Sequence, residues 1–330
     1  MMDSRGKKTF KGSYKRLLLI VVFIMLVILS LMIGASTQVT FSNLFKGDKD
    51  AWFIFVQSRI PRTIAIILTS SALSVAGLIM QTINRNKFIS PQTAGTTDAA
   101  ALGILIAFLL VRTQTKGIQF VFAFAFSLAF TGIFIYIIQK IKFKNIVYVP
   151  LIGLMYGSLI ASFTTVVAQS FGLQQILGTL NLGSFTGVTL SNFKLIFWVI
   201  PPLIISIIYA MKFSIVALGE DLAKNLGVRY ERVMIIGLIV VSLISASTFI
   251  VVGPLPFIGL IIPNIVSLFY GDNFKKNIID MALFGSIFVM VNDIISRILI
   301  PNGEVAISFT MGITGAVIFL YLIFRRVKHA

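Results

Sequence analysis

The sequence has 330 residues, of which 57% are hydrophobic and only 12% charged, and its mean hydropathy is +0.98. A soluble domain carries about twice that charged fraction, so the composition indicates a polytopic membrane protein rather than a soluble one. The absence of cysteine excludes disulfides, thiolate metal sites and cysteine nucleophiles, and the net charge of +17 is assigned to short loops that orient spans, not to nucleic acid binding.

Long unbroken apolar runs predict membrane-spanning helices rather than a β-barrel. The first run follows six basic residues and is long, with no clear small-residue cleavage site before the next run, so it is interpreted as a retained span and not as a signal peptide. Taken in chain order, the ten predicted spans are roughly 17–34, 63–83, 95–111, 118–138, 147–168, 193–211, 231–252, 256–270, 278–298 and 306–324.

The distribution of basic residues predicts the topology. With the N-terminus inside, 20 of the 28 lysines and arginines fall on inner segments, as the positive-inside rule requires. The chain is therefore predicted to have a basic cytoplasmic tail over residues 1–16, a single transmembrane domain over 17–326 and a cytoplasmic tail over 327–330. Both termini face the cytoplasm of a bacterial plasma membrane.

A polar, charged segment at 214–232 interrupts the apolar pattern on the cytoplasmic side. Gly219 and Gly227 bracket a short stretch that begins with acidic residues and has Lys224 nearer its end, an order that suits a helix dipole. Leucines recur every four residues at 218, 222 and 226, so a helix here carries an apolar stripe. We expect a short amphipathic helix that docks a partner. On the outer side, the uncharged segment 169–192 predicts another short helix lying at the membrane surface.

Several kinds of chemistry are missing from the sequence. It has no Gly-x-x-x-x-Gly-Lys-Ser/Thr phosphate loop, and its single histidine is His329, so neither a nucleotide site of that type nor a histidine metal cluster is predicted. Asp98 and Asp280 fall near span ends, which argues against ion-coupled transport. Asp293 and Arg297 are four residues apart on one helix face and predict an ion pair. No catalytic residue and no metal ligand is assigned.

Six motifs occur in order along the chain. They are SRIPRT at 58–63, AGLIMQ at 76–81, NKFISP at 86–91, LGE at 218–220 with LGV at 226–228, GPLPFIGLIIPN at 253–264, and Asp293 with Arg297 followed by GEVAIS at 303–308. Together they resemble the permease subunits of the iron–siderophore, haem and cobalamin ABC importers, from about Arg59 to Arg326. Asn264 and the segments 85–88 and 271–273 look most like the branch that moves catecholate siderophores.

The resemblance implies an all-α permease of the type II importer architecture, with about ten transmembrane helices. It implies a non-enzymatic subunit that translocates a ferric siderophore presented by an extracytoplasmic substrate-binding protein. It also implies cytoplasmic ABC ATPase subunits, which hold the ATP and magnesium, so this chain needs no cofactor of its own. A second permease copy or a related chain completes a homodimer or heterodimer.

The resemblance also implies roles for particular residues. Arginines at the outer mouth would dock the binding protein, and charge pairs of that kind set docking register and association rate. The segment inside 214–232 would be the coupling helix that seats in the ATPase, and the turn after the second span would form part of the inner gate. The implied residues are Arg59, Arg62 and Arg297 for docking, Leu218, Gly219, Glu220, Leu222, Ala223, Leu226 and Gly227 for coupling, and Asn86 and Phe88 for the gate.

Other functions remain open at this stage. A stand-alone secondary transporter of a small metabolite would need no docked ATPase, and a haem or cobalamin permease would share the same motifs. A membrane enzyme such as a lipid transferase would need clustered acids or histidines at an inner face, and the sequence has no such cluster.

Overall fold

The computed structural model describes residues 4–34, 39–111, 115–140, 148–271, 273–300 and 303–327, and the regular structure within those ranges is helical. The helices are α1 (Ser4–Met32), α2 (Phe41–Phe45), α3 (Lys49–Ile54), α4 (Ile60–Ile83), α5 (Thr96–Val111), α6 (Lys116–Lys140), α7 (Tyr148–Ser170), α8 (Gln174–Leu180), α9 (Ile200–Ile208), α10 (Ala210–Val216), α11 (Glu220–Asn225), α12 (Tyr230–Val252), α13 (Ile258–Tyr270), α14 (Phe274–Ile298) and α15 (Ile307–Val327).

The predicted spans coincide with these helices. Within the described residues, six helical stretches are long and apolar enough to cross a membrane, and a bent pair spanning 193–216 makes a seventh. Three shorter apolar helices, at 16–32, 96–111 and 258–270, correspond to the first, third and eighth predicted spans. Helix α1 begins at Ser4 and continues into the first predicted span, so the predicted tail and that span belong to one helix.

Helix α4 forms the centre of the fold, and α12, α13 and α14 pack around it. Small residues let the helices approach closely. A Cβ on Gly77 would lie 2.0 Å from the carbonyl oxygen of Gly259 on α13, and a Cβ on Gly285 of α14 would lie 2.2 Å from Ser74 Oγ. Both are far inside van der Waals contact, so these crossings require glycine. The peripheral helices α6, α7 and α15 are mostly exposed along their spans.

The sixth predicted span is not a straight helix. It begins as a 3₁₀ helix (Phe193–Val199), continues as α9, and then bends by 61° into α10. Pro201 and Pro202 lie in the first turn of α9, where proline fits an α-helix but cannot continue a preceding ladder of backbone hydrogen bonds. The predicted span at 193–211 is therefore present at that position, but it consists of a 3₁₀ helix and two α-helices with a bend between them, not of one regular helix.

An irregular segment joins α12 to α13 at 253–257. Gly253 and Phe257 both have positive φ, of 79° and 67°, and prolines stand at 254 and 256. Backbone groups at this depth need partners from the protein. The Gln92 side chain supplies two, because its amide donates to the Leu255 carbonyl and its oxygen accepts from the Phe257 N–H at 3.2 Å.

Candidate functional site

The predicted cytoplasmic helix is present as α11 (Glu220–Asn225). Gly219 precedes it with φ of 122° and Gly227 follows it with φ of 75°, so both bracketing glycines hold conformations that L side chains rarely adopt. Glu220 and Lys224 form an exposed i,i+4 ion pair at 2.7 Å. The sequence pattern therefore located the helix and its boundaries correctly.

The leucine stripe of α11 faces outward. Leu218, Leu222 and Leu226 are 58%, 52% and 60% exposed, whereas Ala223 between them is completely buried. The structure thus separates the predicted coupling residues into an exposed apolar ridge and an alanine that packs against the chain's own helices. An exposed leucine ridge on a polar surface helix is the kind of patch that marks a partner site.

One close contact joins this segment to the central helix. Arg85, just after α4, places its guanidinium against Gly219, and a Cβ on that glycine would lie 1.9 Å from Arg85 Nη2. Arg85 itself has a positive φ of 48°. A cavity of about 510 Å³ lies beside this contact and is lined by Arg85, Glu220 and Asp221 among others. The start of α11 therefore rests on the inner end of α4.

The structure brings the three predicted outer arginines together, but inside the fold. Arg59, Arg62 and Arg297 are only 5%, 5% and 4% exposed. Arg62 binds Asp293 through Nη2 at 2.7 Å and Glu304 through Nη1 at 2.7 Å. Arg297 pairs with the other oxygen of Asp293, so the predicted i,i+4 ion pair on α14 is confirmed.

Backbone carbonyls from the end of α1 complete this outer cluster of Arg59, Arg62, Asp293, Arg297 and Glu304. Arg297 donates to the Ile33 and Ser30 carbonyls at 2.6 and 2.8 Å, and Arg59 donates to the same Ile33 carbonyl. Three guanidinium groups thus face two carboxylates, which leaves the cluster with a surplus positive charge. The role of these arginines in docking stays a prediction, and their partners here are those of a structural ion network.

Glu304 is less buried than Asp293, with its side chain 13% rather than 0% exposed, and lies between α14 and α15. Burial acts to raise its pKa, but the Arg62 charge and a hydrogen bond from Thr186 Oγ1 at 2.7 Å outweigh burial and hold the pKa of Glu304 below its ordinary value of 4.5. Sequence reasoning quoted Glu304 within a motif without giving it a role. The sequence feature that could have pointed to Glu304 is a single carboxylate within an apolar stretch.

The predicted gate turn lies at the inner end of α4. Asn86 is buried, and its Oδ1 accepts the Phe88 N–H at 2.9 Å, which closes the turn. The Phe88 ring meets Phe319 of α15 edge to face, with centroids 6.2 Å apart. Asn264 of α13 donates to the Lys87 carbonyl at 2.7 Å. The turn is therefore held between α13 and α15.

A polar stripe on α7 escaped the sequence reasoning, which assigned no pathway-lining residues. Ser158, Ser162, Thr165 and Gln169 are all exposed and recur at i, i+4, i+7 and i+11, so they share one face of the helix. This helical spacing of four polar residues is the sequence feature that could have identified the stripe. Exposed polar side chains on a membrane helix mark a water-filled surface or a partner rather than lipid. Within the described residues, no group of three or more His, Asp or Glu side chains could hold a metal ion.

Comparisons with known proteins give a family, similar sequences and a similar fold for this chain. Residues 18–325 match the FecCD transport family. The chain is 41% identical to the petrobactin import system permease protein YclN of Bacillus subtilis, over 94% of this chain and 98% of that protein. It is 37% identical to the ferric-anguibactin transport system permease protein FatD of Vibrio anguillarum, with the same coverage. Among solved structures, a metal-chelate type ABC transporter in an inward-facing conformation shares the fold, with a TM-score of 0.77 at 21% identity, over 93% of this chain and 97% of that one.

Proposed function

Since the chain belongs to the FecCD transport family, we propose that it is the membrane-spanning permease of an ATP-driven importer for a ferric siderophore. The relatives named for petrobactin and anguibactin make those two iron chelates the first candidates. The ferric chelate is the transported substrate, and this chain carries out no covalent step on it. Separate ATPase subunits hold ATP and magnesium.

The exposed leucine ridge of α11 is the observation that carries the proposal. The segment 218–226, with three exposed leucines on a cytoplasmic loop, loses free energy in water unless a partner covers it, at about 25 cal/mol for each Å² of apolar surface. The sequence has no phosphate-loop motif, so in an ATP-driven importer the ATP is bound by another chain. An ATPase with an apolar groove that accepts α11 meets both requirements.

The contact of Gly219 with Arg85 gives a route from that ATPase to the membrane helices. A displacement of α11 is transmitted to the inner end of α4. The span that contains α4 is the most buried of the candidate spans in the described residues. Because α4 is locked to α13 and α14 by close glycine crossings, these helices tilt together rather than bend. Movement of packed helices as rigid bodies is an established form of alternating access.

The substrate path is proposed to lie between two permease copies, with the polar stripe of α7 on its wall. Weak hydroxyl contacts suit a path that must release its cargo. A substrate-binding protein delivers the chelate from outside. The surplus positive charge of the outer cluster supports attraction of acidic groups on that protein, because a net charge steers association over distances longer than a hydrogen bond.

Uptake and ATPase association test the proposal together. In a strain lacking this gene, we expect the wild-type chain to restore uptake of ferric petrobactin or ferric anguibactin. The Leu222→Asp variant places a charge in the ridge and should lose both uptake and co-purification of the ATPase, with unchanged membrane insertion. Lys224→Gln is the matched control, because it changes a charge on the same helix and Lys224 forms its ion pair with Glu220 of α11 itself. Uptake that persists without ATPase association would identify a secondary transporter instead.

A further inference from the structure

Two short helices beside the outer cluster present aromatic side chains to their surroundings. Helices α2 and α3 stand between α1 and α4, and together they form a hairpin over residues 41–54, here called the aromatic hairpin. Four of its aromatic residues are 56%, 89%, 46% and 66% exposed, and they are Phe41, Phe45, Trp52 and Phe53. Neither the outer cluster nor the polar stripe of α7 contains any of them. Exposed aromatic groups that gather in one segment mark a surface that meets a partner or a membrane.

The aromatic hairpin holds its shape through its own hydrogen bonds. The Trp52 indole Nε1 donates to the Leu44 carbonyl at 3.0 Å, which ties α3 to α2. The Asp48 side chain accepts the Asp50 N–H at 3.0 Å and caps the start of α3. Gly47, with φ of 73°, makes the turn between the two helices. The exposed rings are therefore held in place before anything covers them, which lowers the entropic cost of binding.

The exposed apolar residues of α3 share one face with the turn that follows it. Successive residues of a helix are rotated by about 100°, so Trp52, Phe53 and Val56 fall within an arc of about 100°. Val56 is 38% exposed, whereas Ala51 lies on the opposite side and is completely buried. The apolar face therefore points away from the protein. The same helix continues without a sharp bend into α4, over residues 49–83, so this face adjoins a membrane-spanning surface.

Helix α1 gives the depth of the aromatic hairpin. Arg16 forms an ion pair with α14 at the inner side, and Met32 ends α1 about 24 Å further out. Arg59 donates to a backbone carbonyl at that end of α1. Trp52 precedes Arg59 by seven residues on the continuous helix, so it lies about 10 Å further outward. The hydrocarbon core is about 30 Å thick and the bilayer with its headgroups about 40–45 Å, which puts Trp52 at the level of the outer headgroups.

The charges of the aromatic hairpin fit that level. Two basic and two acidic residues are exposed in and around its turn, so they cancel, and they are Lys46, Asp48, Lys49 and Asp50. Binding therefore depends on the rings and not on a charged lipid. Tryptophan gathers where lipid meets water, because its ring is apolar while its N–H stays hydrogen-bonded. The indole N–H of Trp52 has its partner within the hairpin.

We propose that the aromatic hairpin lies in the headgroup layer and binds the lipid surface, through Trp52, Phe53 and Val56 on one helix and Phe45 on the other. Aromatic residues at the interface set the tilt and depth of a membrane helix. The helix fixed in this way is α4, which carries Arg62 of the outer cluster. The hairpin is therefore an anchor for the outer end of the central helix.

Tryptophan fluorescence of the full-length chain in vesicles tests the proposal without any transport assay. The chain has two tryptophans, so Trp198→Phe leaves Trp52 alone. The variant is reconstituted in phosphatidylcholine that carries bromine either near the headgroup or deep in the acyl chain, with iodide on both sides as the aqueous quencher. We expect the shallow bromine to quench Trp52 about twofold more strongly than either the deep bromine or iodide. If Trp198→Phe folds poorly, the difference between wild type and Trp52→Phe reports the same quantity.

Phe53→Asp provides an independent arm, because it puts a charge on the apolar face and leaves Trp52 in place. It should shift the quenching of Trp52 from lipid to iodide, whereas the matched Phe53→Leu should not. Quenching mainly by iodide would place the hairpin in water, and protection only after a soluble binding protein is added would make it a protein-docking surface. Weak quenching by all three probes would place it against a second copy, and quenching mainly by deep bromine would place it in the hydrocarbon core. Each of these results, or an unchanged ratio in Phe53→Asp, would overturn the proposal.

Discussion

Replacing Asp293 with asparagine tests the outer cluster directly. The Asp293 side chain is fully buried and serves two arginines, at 2.7 Å from Arg62 Nη2 and in contact with Arg297 Nη2. The amide keeps the shape and loses the charge. Of the two carboxylates of the outer cluster, only Glu304 then remains to face the buried guanidinium groups, and Glu304 already binds Arg62.

The size of the effect follows from burial. Removing one partner of a buried ion pair typically costs about 3–5 kcal/mol, because the remaining charge stays desolvated without compensation. About 3 kcal/mol corresponds to roughly a hundredfold in the ratio of folded to unfolded protein. Glu304→Gln provides the comparison, since Glu304 is less buried than Asp293 and its loss leaves Arg62 paired with Asp293. We expect only about 1–2 kcal/mol there.

The assay is heat treatment in detergent followed by measurement of the monodisperse fraction. Asp293→Asn should lose that fraction at a clearly lower temperature than Glu304→Gln, and Glu304→Gln at a slightly lower one than wild type. Adding Arg297→Met to Asp293→Asn removes an uncompensated charge and should recover part of the loss. The reasoning is wrong if Asp293→Asn is as stable as wild type, or if the order of the two single variants is reversed.

Two further predictions follow from positions described above. Gly219→Ala should uncouple ATPase activity from uptake, because its Cβ would lie 1.9 Å from Arg85 Nη2 and its φ of 122° disfavours an L side chain. Gly227→Ala also places an L residue at a positive φ, of 75°, but nothing lies within 4 Å of the new Cβ, so it should retain coupling. Equal activity in both variants would exclude a role for the contact. The pKa of Glu304 is lowered in the folded protein below its ordinary value of 4.5, so its pairing with Arg62 stabilises the fold fully above that value, and this contribution is lost as pH falls through the lower folded pKa. Wild type should lose more heat stability than Glu304→Gln as the pH is lowered from about 5 to about 3, and parallel losses would contradict this.

Much of the fold was predictable because membrane spans are local signals. An apolar run of about 20 residues is recognisable without knowing its neighbours, and the predicted all-α permease fold is confirmed. The signal for α11 was equally local, since two glycines and a leucine every fourth residue define it, whereas its coupling role stays a prediction. The 61° bend between α9 and α10 was not predicted, because hydropathy does not report how backbone hydrogen bonds are arranged.

The outer cluster shows where sequence reasoning stops. Arg59, Arg62 and Arg297 were correctly grouped, but their burial depends on the Ile33 carbonyl of the α1 end and on Asp293, which lies more than 200 residues further along the chain from Arg62. No short-range pattern records such contacts. The hydrogen bond from Lys87 to Ser267 escaped for the same reason, since these residues meet only after α4 and α13 pack together.

Helix α4 has 24 residues and is therefore about 36 Å long. Arg62 stands in its first turn, within the outer cluster, and Arg85 lies two residues after its end, against Gly219. The outer cluster and the start of α11 are thus both attached to one helix. Linkage is reciprocal in free energy. Whatever preference an event at α11 imposes on the outer cluster, an event at the outer cluster must impose equally on α11. In the proposed importer, a loaded binding protein outside and a nucleotide state inside would then influence each other through a single helix.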